Sequence, residues 1–220
     1  MRYPMRRDFN RPHEHPTVNL PDHLDLIAAA PAGIQKLRGL ILELAVRGKL
    51  VPQEPNDELE MTDGEDANPF SIPGQWKFVR LGQVLEMVNG RAFKPTEWLA
   101  QGLPIVRIQN LNNLLAPFNY CDPETVADRH FIRNDDLLIS WSGTPGTSFG
   151  AFIWNRGLAA LNQHIFRCVQ IGQSFSNDFL RLAINSQLSV LISKAQGGVG
   201  LQHVTKGTLE ALPLPLPPLM

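Results

Sequence analysis

The chain has 220 residues and is 43% hydrophobic, which is enough for one ordinary domain with a real core and too apolar for a disordered chain. No run of roughly 18 apolar residues occurs, so the sequence predicts no membrane span. Its two isolated cysteines, Cys121 and Cys168, are typical of a reducing, cytoplasmic location and not of a disulfide scaffold. The net charge of −1 divides into −4 over residues 1–71 and +3 over residues 72–220. The second part is compatible with DNA binding but does not predict it, because phosphate-binding proteins usually show a clear basic excess.

The first 51 residues divide into a tail and a helical arm. Residues 1–23 have no apolar period and are predicted to be flexible. Residues 24–51 predict a helical arm that is interrupted at Pro31 and stopped by Gly48. Apolar residues recur every three or four positions along the arm, which indicates one face of an amphipathic helix. They are Ile34, Leu37, Leu40, Ile41 and Leu44.

Beyond the arm, residues 52–71 crowd acidic side chains together with Pro, Gly and Asn, and are predicted to be a solvated linker. Residues 72–219 then show short alternating or apolar runs between turns, which predicts strands. The runs are WKFVRLGQVLEMV, LPIVRIQNL, DDLLISWSG, GAFIWN and HIFRCVQI. A helix is predicted at about 178–195, and the chain closes on an extended, proline-rich segment. The predicted fold is α+β, with an irregular sheet or barrel and a late helix.

Motifs for catalysis are mostly missing. The sequence has no phosphate loop and no dinucleotide-binding glycine motif. Asn68-Pro69-Phe70 lacks the second proline of the Asn-Pro-Pro-aromatic loop of amino-group DNA methyltransferases and lies in the linker. The histidines and cysteines show no metal-ligand spacing. We therefore expect no catalytic residue, no metal site and no cofactor in this chain.

Several segments resemble, in order, the specificity subunits of Type I restriction–modification systems. LRGLILELAVRGKLVPQEPND resembles the segment before a target-recognition domain, and IPGQWKFVRLGQVLEMVNGRAFKP resembles the start of that domain. GLPIVRIQNLN, DDLLISWSGTPGTSFGAFIW, LNQHIFRC and AQGGVGLQHVTKGTLEALPLPLPPL follow in the family's order. The resemblance covers about residues 24–219. It implies one recognition domain where a full specificity subunit has two, so we expect a half-length form: a natural product, a gene fragment or an artificially shortened chain.

The resemblance also implies a division of labour. This chain would recognise double-stranded DNA in the cytoplasm and would not be an enzyme. A partner modification subunit would bind S-adenosylmethionine and methylate adenine, while a restriction subunit would use ATP and Mg²⁺. A second copy or a second specificity half is a further expected partner.

Long polar side chains on turns are the candidates for DNA contact. Arg91 would read guanine or clamp phosphate, and Lys94 would contact phosphate; the alternative is two solvated charges on a hairpin. Arg107 with Gln109 or Asn110 ends an apolar strand, and either amide would pair with adenine, unless Asn110 only forms a turn.

Residues in four other places are further candidates for DNA contact. The small hydroxyls Ser142, Thr144 and Thr147 suit close approach to phosphate, or simply a turn between strands. Gln202 and His203 follow the late helix and would reach DNA from that turn. Asn162-Gln163-His164 is expected to hold neighbouring loops, and Trp98 is the one tryptophan considered for stacking.

The apolar stripe of the arm also has two interpretations. It would pack on its own domain, or it would bind another specificity half or the modification subunit, which the resemblance favours. Three function hypotheses follow: a working DNA-recognition subunit, a silent or truncated recognition cassette with no independent activity, and an enzyme with an unrecognised site, which the missing motifs disfavour.

Overall fold

The computed structural model describes residues 24–51, 70–142, 149–172, 174–195 and 205–218, with the backbone alone for 189–195. The predicted tail and most of the predicted linker lie outside these residues, so the domain boundaries stay predictions. Contacts divide the chain after Leu40 into two compact units, Met1–Leu40 and Ile41–Met220.

Two helices begin the described chain, Leu24–Ala29 (α1) and Gly33–Val46 (α2). They are separated at Pro31, as predicted, because the proline ring cannot donate to the helical hydrogen-bond ladder. After α2, Gly48 adopts a φ of 66°, and a Cβ added there would lie 2.7 Å from the Pro73 ring. Glycine is required at this helix end because it adopts a positive φ without strain and has no Cβ to clash with Pro73.

The second unit combines short strands with four more helices. In the described residues the strands are Lys77–Arg80 (β1), Leu85–Asn89 (β2), Leu103–Val106 (β3), Asn119–Cys121 (β4), Phe131–Ile132 (β5), Leu137–Ser140 (β6), Gly150–Ile153 (β7), Ala159–Leu161 (β8), Ile165–Gln170 (β9) and Pro213–Leu216 (β10). The helices are Leu81–Val84 (α3), Ile108–Asn112 (α4), Asn177–Ala195 (α5) and Lys206–Glu210 (α6).

The strands form three open sheets with the orders β2-β9-β6-β7, β4-β3-β8-β5 and β1-β10. The first sheet is antiparallel, and the second contains one parallel pair, β3 with β8. In the two-stranded sheet Pro213 and Pro215 have no N–H to donate, so Leu214 and Leu216 alternate with them as the donors available to β1.

Strand β6 shows how the layers pack. Its side chains alternate between two cores, with Leu137 and Ile139 on one face and Leu138 on the other, because successive residues of a strand point to opposite faces. The first face packs against α5, where Leu180 and Ile184 are fully buried. The second face packs against the β4-β3-β8-β5 sheet. The first sheet is thus sandwiched between the helix and the second sheet.

The α+β architecture and the late helix are confirmed, but several local predictions are wrong. The strands form no closed barrel in the described part of the chain. The run WKFVRLGQVLEMV is interrupted by α3, and LPIVRIQNL leaves its strand at Val106 and becomes α4. Strand β2 pairs with β9, so Asn89-Gly90 is not the turn of a hairpin. On α5, Ala183 and Leu188 are buried, while Phe179 and Leu182 are only partly buried.

Candidate nucleic-acid interface

The topology gathers the loops of both four-stranded sheets at one end. In the first sheet Asn89 ends its strand opposite Phe166 and Ser140 ends its strand opposite Ile165, where β9 begins. In the second sheet Val106 ends its strand beside Leu161, and the turn 162–164 joins Leu161 directly to β9. We call this region the loop end. It comprises residues 90–98, 107–118, 128–130, 141–142 and 162–164.

Backbone hydrogen bonds fasten these loops to one another. The N–H of Arg91 donates to the carbonyl of Leu161 (2.8 Å), and the N–H of Asn162 donates to the carbonyl of Val106 (3.0 Å). Trp141 N–H donates to the carbonyl of His164 (3.3 Å). The described loop-end residues therefore have a defined mutual arrangement, which any side-chain readout of a rigid ligand requires.

Arg91 occupies an internal network at this end. Its guanidinium pairs with the Glu97 carboxylate, donates to the Thr125 carbonyl (3.3 Å) and lies 4.6 Å from the Phe93 ring centroid. The N–H of Lys94 donates to Glu97 Oε2 (2.8 Å), and this bond, with the charge of Arg91, lowers the pKa of Glu97. Arg91 is thus not a solvated charge on a hairpin. Contact between Arg91 and DNA stays a prediction. A DNA phosphate would have to compete with Glu97 for the Arg91 guanidinium.

Lys94 and Arg107 are the other predicted cations of the loop end. Lys94 is exposed at the start of a single 3₁₀ turn, Pro95–Glu97. Arg107 is half-buried, and its guanidinium lies 5.9 Å from the Trp98 ring centroid. The Trp98 side chain is itself 43% exposed, so this cation–aromatic pair is open to solvent on one side.

Gln109 and Asn110 are adjacent but differ in exposure. Asn110 is 1% exposed, its Nδ2 donates to the carbonyls of Ala116 (3.1 Å) and Pro117 (3.2 Å), and its Oδ1 accepts from the N–H of Arg107 (3.0 Å). This geometry supports turn formation, the alternative for Asn110, and does not fit base reading. Gln109 is exposed, and its Nε2 lies 3.5 Å from the Pro117 carbonyl.

The remaining predicted contacts are only partly described. Ser142 is half-buried, and its carbonyl accepts from the Ser140 hydroxyl (3.4 Å). Thr144, Thr147, Gln202 and His203 lie outside the described residues. Their DNA contacts stay predictions.

Two features of the loop end were not expected from the sequence. Gln163 is exposed at the tip of the turn 162–164, for which the sequence favours buried side chains that hold neighbouring loops over DNA contact. Leu114 and Leu115 are 73% and 91% exposed, although neighbouring Leu111 packs against the core. The double leucine inside the Asn-rich NLNNLLAPFN could have indicated this exposed apolar site from the sequence, since loops seldom present consecutive large apolar side chains without a partner.

A cleft of about 550 Å³ lies between α4, β7 and α5. Asn185 bridges α5 to β7: its Oδ1 accepts from the Ala151 N–H (2.8 Å), and its Nδ2 donates to the Ala151 carbonyl (2.9 Å). This amide occupies backbone groups on the free edge of β7, an edge that would otherwise be open to another strand. The cleft wall is therefore fixed by a structural contact.

The described residues include no group of three metal-ligating side chains and no helix long and apolar enough to cross a membrane. Cys121 and Cys168 are both buried, and burial raises the pKa of both thiols, so neither is poised as a thiolate.

Residues 73–220 match the family model described as the Type I restriction modification DNA specificity domain. The chain belongs to this family. It is 24% identical over 235 residues to the Type I restriction enzyme EcoAI specificity subunit of Escherichia coli, covering 91% of this chain and 40% of the relative. The specificity domain thus spans less than half the length of this relative.

Solved structures show the same fold. The HsdS subunit from Thermoanaerobacter tengcongensis aligns with a TM-score of 0.50 and 19% identity, covering 90% of this chain and 45% of that one. The Type I restriction–modification S subunit from M. genitalium aligns with a TM-score of 0.51 and 14% identity, covering 89% and 46%. The predicted resemblance is confirmed. The family is one of DNA specificity and not of catalysis, which confirms the non-enzyme prediction.

Proposed function

We propose that this specificity domain recognises a sequence in double-stranded DNA through its loop end. The proposal rests on the convergence of the loops. The described candidate residues lie in or beside the loops that follow β2, β3 and β6, and these three loops leave their sheets at the same end. The match of residues 73–220 to a DNA specificity family supports the same assignment.

The chain would act through partners in the cytoplasm. A modification subunit would supply S-adenosylmethionine and the methyltransferase site, and a restriction subunit would supply ATP- and Mg²⁺-dependent cleavage. The small positive charge of residues 72–220 supports this dependence, because few phosphate contacts give weak binding at physiological salt.

The apolar stripe of α2 is the proposed partner-binding surface. Ile34, Leu40 and Ile41 are 55%, 53% and 40% exposed, and Leu37 and Leu44 are half-buried. Exposed apolar side chains on one helix face are a common basis of helix association. A second copy bound through this stripe would make the recognised target symmetric and two-part.

Binding to duplex DNA in complex with the modification subunit tests the proposal. We expect Lys94→Ala with Arg107→Ala to weaken binding to every sequence and to lower the slope of log K against log salt by about 2, since each lost phosphate contact removes roughly 0.9. The matched control is Lys77→Ala with Arg80→Ala, two exposed cations on β1. Equal losses from both pairs would contradict the assignment of the loop end.

The silent-cassette alternative predicts a different outcome. A chain of that kind would not co-purify with a modification subunit and would bind DNA weakly, without sequence preference. Co-purification with the modification subunit, together with a preferred DNA sequence, would exclude the silent-cassette alternative. DNA methylation or cleavage by the purified chain alone would contradict both hypotheses and indicate an enzyme.

A further inference from the structure

The turn 162–164 connects the two four-stranded sheets within the loop end. Backbone hydrogen bonds tie Asn162 to Val106 and His164 to Trp141, and Leu161, which precedes the turn, accepts from Arg91. Gly90 packs so closely that an added Cβ would clash with the Asn162 carbonyl. A side chain on this turn therefore keeps a fixed base relative to the surrounding loops.

His164 holds the side chain of its neighbour. Its ring is half-buried and packs edge-on against Trp141, with centroids 5.4 Å apart and planes at 61°. The Gln163 amide lies 3.2 Å from His164 Nε2, with the amide nitrogen facing the ring. The exposed amide is thus tethered at one point to a ring that packing has already oriented.

The hydrogen bond to His164 leaves groups of the Gln163 amide free to recognise adenine. An amide has two N–H donors and an oxygen with two lone pairs, so a single bond to His164 leaves at least one donor and one acceptor available. A side-chain amide that presents both pairs bidentately with the N6 and N7 groups of adenine in the major groove. Asn110 cannot do this, because its amide already makes three internal bonds.

We propose that Gln163 is a base-reading residue that recognises an adenine, and that His164 is the positioning residue that aims its amide. This assignment rests on the proposed function and names a specificity determinant within it. The loop-end cations Lys94 and Arg107 would hold the phosphates and so set the depth at which Gln163 meets the base edge.

Selection from a randomised duplex library by the full chain with its modification subunit tests the assignment. Wild type should select a sequence that contains a required adenine. Gln163→Ala should relax that one position by roughly 5- to 150-fold, the discrimination expected from one bidentate pair, while the other positions keep their preference. The matched control is Gln101→Ala, an exposed glutamine before β3, at the opposite end of that strand.

The role of His164 needs a conservative variant. His164→Ala should relax the same position partially, and His164→Gln, which keeps a hydrogen-bonding group within reach, should restore it. Thermal unfolding of each variant confirms that it is folded. A general loss of preference from His164→Ala that His164→Gln does not rescue would assign His164 a merely structural role and overturn the positioning claim.

Two results would overturn the assignment of Gln163 in distinguishable ways. If wild type selects a sequence and Gln163→Ala selects the same one with equal stringency, the base-reading role is wrong and the proposed function stands. If wild type selects no sequence at all, the proposed function fails and the inference fails with it.

Discussion

Helices α2 and α5 both carry an apolar face but differ in what covers it. On α5, Leu180, Ala183 and Ile184 are fully buried in the core beside the first sheet. On α2, Ile34 and Leu40 are more than half exposed. The period of a pattern predicts that a helix has an apolar face, whereas the molecule that covers the face depends on the rest of the fold or on a partner. We therefore expect α5 to contribute to stability and α2 to association.

Removing core volume from α5 should have the largest effect. Leu180→Ala is expected to lower the free energy of unfolding by about 2–5 kcal/mol, because it removes buried methyl groups and leaves a cavity. Urea unfolding of the chain measures this. A loss below about 1 kcal/mol would mean that the α5 face is not the core element described above.

Two adjacent polar side chains of α4, the buried Asn110 and the exposed Gln109, show the same difference in burial. Asn110→Ala should cost about 1–3 kcal/mol, since the carbonyls of Ala116 and Pro117 and the N–H of Arg107 lose a partner. Gln109→Ala, one residue earlier and exposed, should change stability by less than about 0.5 kcal/mol. Equal costs from the two variants would contradict the buried assignment of Asn110.

Much of this difference could not be predicted from the sequence. The helices α1, α2 and α5 and most strands follow from their periods, and Gly48 and Pro31 mark real breaks, whereas α3 and α4 lie in runs whose pattern predicts strands. The pairing of β2 with β9 could not be predicted, because it depends on side chains far apart in the chain that share one core. The opposite environments of Gln109 and Asn110 could not be predicted either, because nothing in the local sequence shows that Ala116 folds back onto α4.

A smaller, pH-dependent effect is expected from His130. Burial, and next the charge of Arg129, lower the pKa of this 9% exposed imidazole below its ordinary 6.5. The folded chain therefore binds the proton less readily than the unfolded chain, so stability from this group is complete above pH 6.5 and decreases as pH falls below it.

His130→Gln tests this pH dependence. It should remove part of the loss in unfolding free energy measured between about pH 7.5 and about pH 5.5, a window that spans the ordinary imidazole pKa. An unchanged pH dependence would show that His130 titrates alike in both states.

The smallest change in stability should come from α2. Leu40→Ala is expected to alter the free energy of unfolding by less than about 0.5 kcal/mol, because the side chain is already 53% exposed. The same substitution, alone and with Ile34→Ala, should reduce co-purification of the modification subunit. A large loss of stability without a loss of association would reverse the roles given to the two helices.

We propose above all that this chain supplies DNA sequence specificity to a partner enzyme. Sequencing of methylated adenines in cells that express the modification subunit, with and without this chain, tests this role most directly. We expect one recurrent methylated sequence that appears only when the chain is present. Methylation of the same sequence without the chain, or no recurrent sequence despite a stable complex, would contradict it.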